Sequence, residues 1–94
     1  MEESEARRLA ERFCRGLTDA WDERGFKLAL LGTPAVLGAF VFAWYPTAPD
    51  GAGRPARPGG NLPVLVDPRT GTCRQVRDRK ELRPRPGPAR SGGP

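Results

Sequence analysis

The sequence predicts a small α+β domain: one N-terminal helix packed on an antiparallel sheet of about four strands. Three observations predict it. The first 21 residues carry helical apolar spacing, residues 39–45 alternate aromatic side chains with a period of two, and residues 62–76 read as strand, turn and strand. At 94 residues there is room for one domain and no second, and with 12 Gly and 11 Pro the core must be thin.

The helix comes first. At about 100° per residue, Ala6, Leu9, Ala10, Phe13, Cys14, Leu17, Ala20 and Trp21 fall within an arc of roughly 140°. Glu2, Glu3 and Glu5 sit where the positive end of the helix dipole favours carboxylates. Glu3–Arg7 and Glu11–Arg15 are i,i+4 pairs with the acid first, the more favourable order. Gly25 is the expected stop. The apolar stripe needs a partner surface, which must come from the residues that follow.

Residues 28–45 form an uncharged run long enough to be weighed as a membrane-spanning helix, with Trp44 and Tyr45 suited to an interfacial belt. Gly32-Thr33-Pro34 and Gly38 interrupt it, and basic residues flank both ends. Phe40, Phe42 and Trp44 then share one strand face, and Val41, Ala43 and Tyr45 the other. The reading adopted is two strands, 26–31 and 39–45, joined by a turn. A small single-pass membrane protein with 28–45 in the bilayer is the alternative.

Residues 46–61 make a Pro/Gly-rich connection, long for a compact domain. Leu62 to Val66 follows as a strand, with Pro63 confined to its beginning or to an edge. Asp67-Pro68-Arg69-Thr70-Gly71 has turn chemistry: an Asp to accept backbone bonds, a Pro to preset φ, and a Gly at the exit. Residues 72–76 complete the hairpin. The domain is expected to span 1–82. Seven of the last twelve residues are Pro or Gly, so 83–94 is expected to be a disordered tail.

Composition narrows the function. There is no His, which removes the usual general base and the commonest metal ligand, and the serines, Ser4 and Ser91, lie near the termini. Cys14 and Cys73 cannot hold zinc alone. A non-enzymatic chain without cofactor or metal is expected. Residues 1–50 carry six Lys/Arg against eight Asp/Glu (net −2), and residues 51–94 ten against three (net +7). The arginines alternate with Pro and Gly rather than with stacking aromatics, which speaks against nucleic acid as the partner. The acidic N-terminus lacks the layout of a secretory leader, so a cytoplasmic location and free thiols are expected.

The string Gly60-Asn61-Leu62-Pro63-Val64-Leu65-Val66-Asp67, followed by Thr70-Gly71, is the most specific in the chain. Placed after Gly38-Ala39-Phe40-Val41-Phe42-Ala43-Trp44-Tyr45, it resembles the YrhB-like family, also called immunity protein 35. The resemblance spans residues 5–77 in element order. It implies a small bacterial protein that binds rather than catalyses: an immunity protein neutralising a cognate toxin, or a chaperone-like binder. Two features differ from the family pattern. Residues 46–58 are rich in Pro, Gly and Arg where a helical or partly acidic segment is usual, and Ala39 stands where Trp is frequent.

Candidate partner-binding residues are Val41, Trp44, Tyr45, Asn61 and Asp67. Each has a structural alternative. Trp44, with Phe40 and Phe42, suits a core facing the helix, whereas Asn61 and Asp67 suit turns. Val41, Ala43 and Tyr45 have no second helix in the chain to cover them, so that face, with the adjacent 46–61 loop, is expected to meet a toxin or a second copy.

Overall fold

The amphipathic pattern at the N-terminus becomes helix α1, Glu3–Arg15, in a computed structural model that describes residues 1–49, 53 and 61–82. Glu3 and Glu5 lie in its first turn and Arg12 and Arg15 in its last, matching the dipole at both ends. The buried residues are Ala6, Ala10 and Cys14, spaced by four. This narrow row of small side chains allows the helix backbone to approach the sheet closely.

α1 ends six residues before the expected boundary at residue 21. Gly16 is a poor helix former, and its N–H closes a tight turn on the Phe13 carbonyl at 3.0 Å. Thr18 then accepts the Ala20 N–H on its own Oγ1 at 3.1 Å, a local bond that competes with helix continuation. Apolar spacing persists to Trp21, but the backbone has already turned. Gly25 does not stop a helix. With φ +59° it closes the irregular segment 16–25, where a Cβ would press on Thr47 Oγ1.

Strands β1 (Lys27–Gly32) and β2 (Phe40–Tyr45) form the expected pair. They run antiparallel with Lys27 opposite Tyr45, Leu28 opposite Trp44 and Leu30 opposite Phe42, then slip so that Gly32 faces Val41. The turn between them contains a one-turn helix, α2 (Pro34–Leu37), with Pro34 in the first turn, where its missing N–H costs nothing. The uncharged run is therefore a folded-back pair of strands, which corrects the single-helix alternative for 28–45. Among the described residues no helix is long and apolar enough to cross a membrane.

β3 (Val64–Val66) and β4 (Cys73–Gln75) complete a four-stranded antiparallel meander in the order β1-β2-β3-β4. Pro63 immediately precedes β3, as expected. The 67–71 turn also forms as read: Asp67 accepts the Gly71 N–H on its carbonyl at 2.8 Å and the Arg69 N–H on Oδ1 at 2.8 Å. A 3₁₀ turn, Arg79–Leu82, ends the described chain. The expected tail, 83–94, and residues 50–52 and 54–60 of the Pro/Gly-rich connection lie outside the described residues.

The core lies between α1 and the sheet, with Ala6, Ala10 and Cys14 against Phe40, Phe42, Trp44, Val64 and Val66. Trp21 closes one end, stacked on Phe26 at 5.5 Å, with Phe26 in turn 5.3 Å from Trp44. The reverse face of the sheet is not bare, contrary to expectation. Val41 is fully buried, and α2 packs against β2. A Cβ on Gly32, the register partner of Val41, would collide with Leu37, so Leu37 lies over this face. Pro63 and Val76 are also buried outside the helix-side cluster.

Candidate functional site

The five residues singled out from the sequence do not converge. Val41 is sealed inside, so it offers no surface to a partner. Trp44 is 5% exposed, and its indole Nε1–H donates to the Leu62 carbonyl at 2.9 Å. The same carbonyl accepts from Gln75 Nε2 at 3.2 Å, and Asn61 Nδ2 donates to the Trp44 carbonyl at 3.5 Å. Trp44, Asn61 and Gln75 thus clasp the chain entering β3, a structural task. Tyr45 is half-buried opposite Lys27 at one end of β2, whereas Asp67 belongs to the turn after Val66, which pairs with Phe40 at the other end. The start of the 46–61 connection is tied down: the Thr47 and Ala48 N–H groups both donate to the Arg24 carbonyl, at 3.0 and 2.9 Å.

A different surface is left open. Along the flank of α1 that faces β4, Leu9, Phe13 and Leu17 line a shallow groove with Arg12, Gly16 and Cys73, of about 500 Å³. Leu9 and Phe13 are partly buried, and Leu17, beyond the early end of the helix, is 45% exposed. The backbone explains the arrangement. A stop at Gly16 shortens the helix, and Leu17, whose N–H still donates to the Cys14 carbonyl at 2.9 Å, is left at the edge of the sheet rather than on it. β4 is the outer strand on this side and only three residues long, and Cys73 is the side chain it contributes to the groove. The sequence held a signal for this surface. Leu9 and Phe13 lie toward one margin of the apolar arc, and the buried small residues Ala6, Ala10 and Cys14 run from its middle to the opposite margin.

The opposite flank of α1 is held by cations. Arg7 donates from Nη1 to the Leu28 carbonyl at 3.0 Å and from Nη2 to Glu3 at 3.2 Å, and lies 5.2 Å from the centre of the Phe42 ring. Arg15 pairs with Glu11 and, through both terminal nitrogens, with Asp22 at 3.0 and 3.1 Å, while lying 5.6 Å from the Trp21 ring centre. The Arg15 hydrogen bonds hold the Asp22 carboxyl below its usual range.

Neither thiol is an activated nucleophile. Burial pushes Cys14 up to about 12, helped by the nearby Cys73 and Glu11, and burial raises Cys73 as well. Both cysteines are free, as expected. Among the described residues no cluster of three His, Cys, Asp or Glu side chains is placed to hold a metal ion. Compared with protein-family models, curated proteins and solved structures, the chain matches none of them.

Proposed function

We propose that this chain is a non-enzymatic protein-binding domain that acts as an immunity protein, neutralising a cognate bacterial toxin in the cytoplasm of the producing cell. The observation that carries the reading is the contiguous apolar wall of Leu9, Phe13 and Leu17, left open beside β4, whereas the other helix flank holds a smaller and more polar hollow crossed by Arg7. The resemblance of residues 38–45 and 60–71 to the YrhB-like family supports the toxin as partner. The work surface on this reading is the α1–β4 flank, since the reverse sheet face expected to do it keeps Val41 buried. Inhibition follows from occupancy. The domain covers the toxin's active site or holds it in an inactive arrangement, and affinity comes from a few desolvated apolar anchors within a polar rim.

The test is co-expression in a bacterial host with the toxin domain encoded beside this gene. Restored growth and a stoichiometric complex on gel filtration are the expected outcome. Unrelieved toxicity with no complex formed overturns the proposal.

A further inference from the structure

We propose that the α1–β4 groove seats a bulky apolar side chain of the partner protein, carried on an acidic segment whose carboxylate meets Arg12. The inference rests on the protein-binding reading above and names the chemistry of the partner at that surface.

Charge complementarity identifies the occupant. Arg7 and Arg15 are both committed, one to Leu28 and Glu3, the other to Glu11 and Asp22. Arg12 is exposed and makes no ion pair or hydrogen bond among the described residues. Its helical neighbours at three and four residues are Arg8, Leu9, Arg15 and Gly16, none of them acidic. A lone guanidinium therefore stands at the rim of an apolar groove. That pairing of surfaces recruits a ligand with an apolar body and an adjacent carboxylate, because Arg binds carboxylates through two parallel hydrogen bonds.

The same charge argues against two other occupants. Residues 83–94 carry Arg83, Arg85 and Arg90 and no Asp or Glu, so that stretch lacks the carboxylate side chain that Arg12 calls for. A second copy offers Met1 beside Glu2 and Glu3 as its acidic-apolar segment, but that methionine already reaches toward Gly71 of its own chain. The groove alone is too small for a full protein interface of about 1,600 Å². It takes the anchor, and the surrounding helix surface supplies the rest of the contact.

The probes are short, capped, fluorescein-labelled peptides with a common Leu-Phe core flanked by Glu, by Gln or by Lys, read by fluorescence anisotropy against the full chain. The Glu peptide is expected to bind at least about tenfold more tightly than the Lys peptide, with Gln between them. Arg12→Glu is expected to invert that order, and Leu17→Ser to weaken all three peptides. Bound Glu peptide should also slow iodoacetamide modification of Cys73, which lines the groove, while the buried Cys14 stays unmodified. Equal affinity for the three peptides, no binding of any, an unchanged order in Arg12→Glu, or binding that leaves Cys73 unprotected would each overturn the inference. So would concentration-dependent dimerisation that blocks the Glu peptide, since the groove would then belong to a second copy. None of these outcomes bears on toxin neutralisation, which the growth assay reads separately.

Discussion

The two long flanks of α1 meet the same sheet and finish differently. On the β1 side the chain returns through residues 16–26, bringing Trp21 and Phe26 into a ladder with Trp44, and Arg7 and Arg15 lie across Phe42 and Trp21. Their stems cover apolar surface while the guanidinium groups reach carbonyl and carboxylate oxygens at the rim. On the β4 side no described segment returns over the helix. The adjacent strand is three residues long, and Leu9, Phe13 and Leu17 face Cys73 across an open groove. One helix can thus be a structural element along one edge and a presenting surface along the other, and the difference is set by where the chain goes after Gly16.

The largest effect tests what both flanks share, the buried Cys14 row. Cys14 ionises near 12 in the folded chain against an ordinary 9.0, so the unfolded chain loses its proton first as pH rises. The stability held by the neutral thiol is complete below pH 9.0 and is lost progressively up to about 12. The loss is about 2–4 kcal/mol, the lower figure allowing for solvent that reaches the neighbouring half-buried Cys73. Urea denaturation across this range should show the wild-type midpoint falling more steeply than that of Cys14→Ala. Parallel slopes would show that Cys14 does not feel the burial described.

Next comes the β1 flank. Trp21→Ala removes the stack with Phe26 and the ring beneath Arg15, and should cost about 3 kcal/mol in equilibrium unfolding. Arg7→Ala removes the bond to the Leu28 carbonyl and the cation over Phe42, and should cost about 1 kcal/mol. Should either variant match the wild type in a denaturant titration, the β1 flank would contribute no more to stability than the β4 flank.

Local chemistry explains which of these features could be read from the chain. The alternation of Phe40, Phe42 and Trp44 and the Asp67 to Gly71 turn are decided by residues within a few positions of one another, and both form as read. The end of α1 was obscured because Leu17, Ala20 and Trp21 keep helical spacing after Gly16 and Thr18 have turned the backbone. Trp21 is buried all the same, by a different route. Burial of Val41 depends on α2 folding Leu37 over Gly32, a contact that the break signal at Thr33-Pro34 does not specify. The groove was hidden for the same kind of reason. Leu9 and Phe13 look like core, but among the described residues the sheet ends at β4, a strand three residues long that covers them only in part.

The smallest effect is the sharpest test of the contrast between flanks. Leu17 is 45% exposed and lies past the last helical turn, so Leu17→Ser gives up little buried area in the free protein. Its unfolding free energy should stay within about 0.5 kcal/mol of the wild type, as for surface substitutions generally. Were Leu17 instead part of the closed core, the same change would leave a cavity and a buried hydroxyl and would cost about 2 kcal/mol or more. A chemical denaturation curve separates the two. A near-neutral Leu17→Ser beside a damaging Trp21→Ala, four residues further on and counted on the same apolar arc, would show that the two part ways once the backbone has turned at Gly16, Leu17 facing outward and Trp21 holding the domain together.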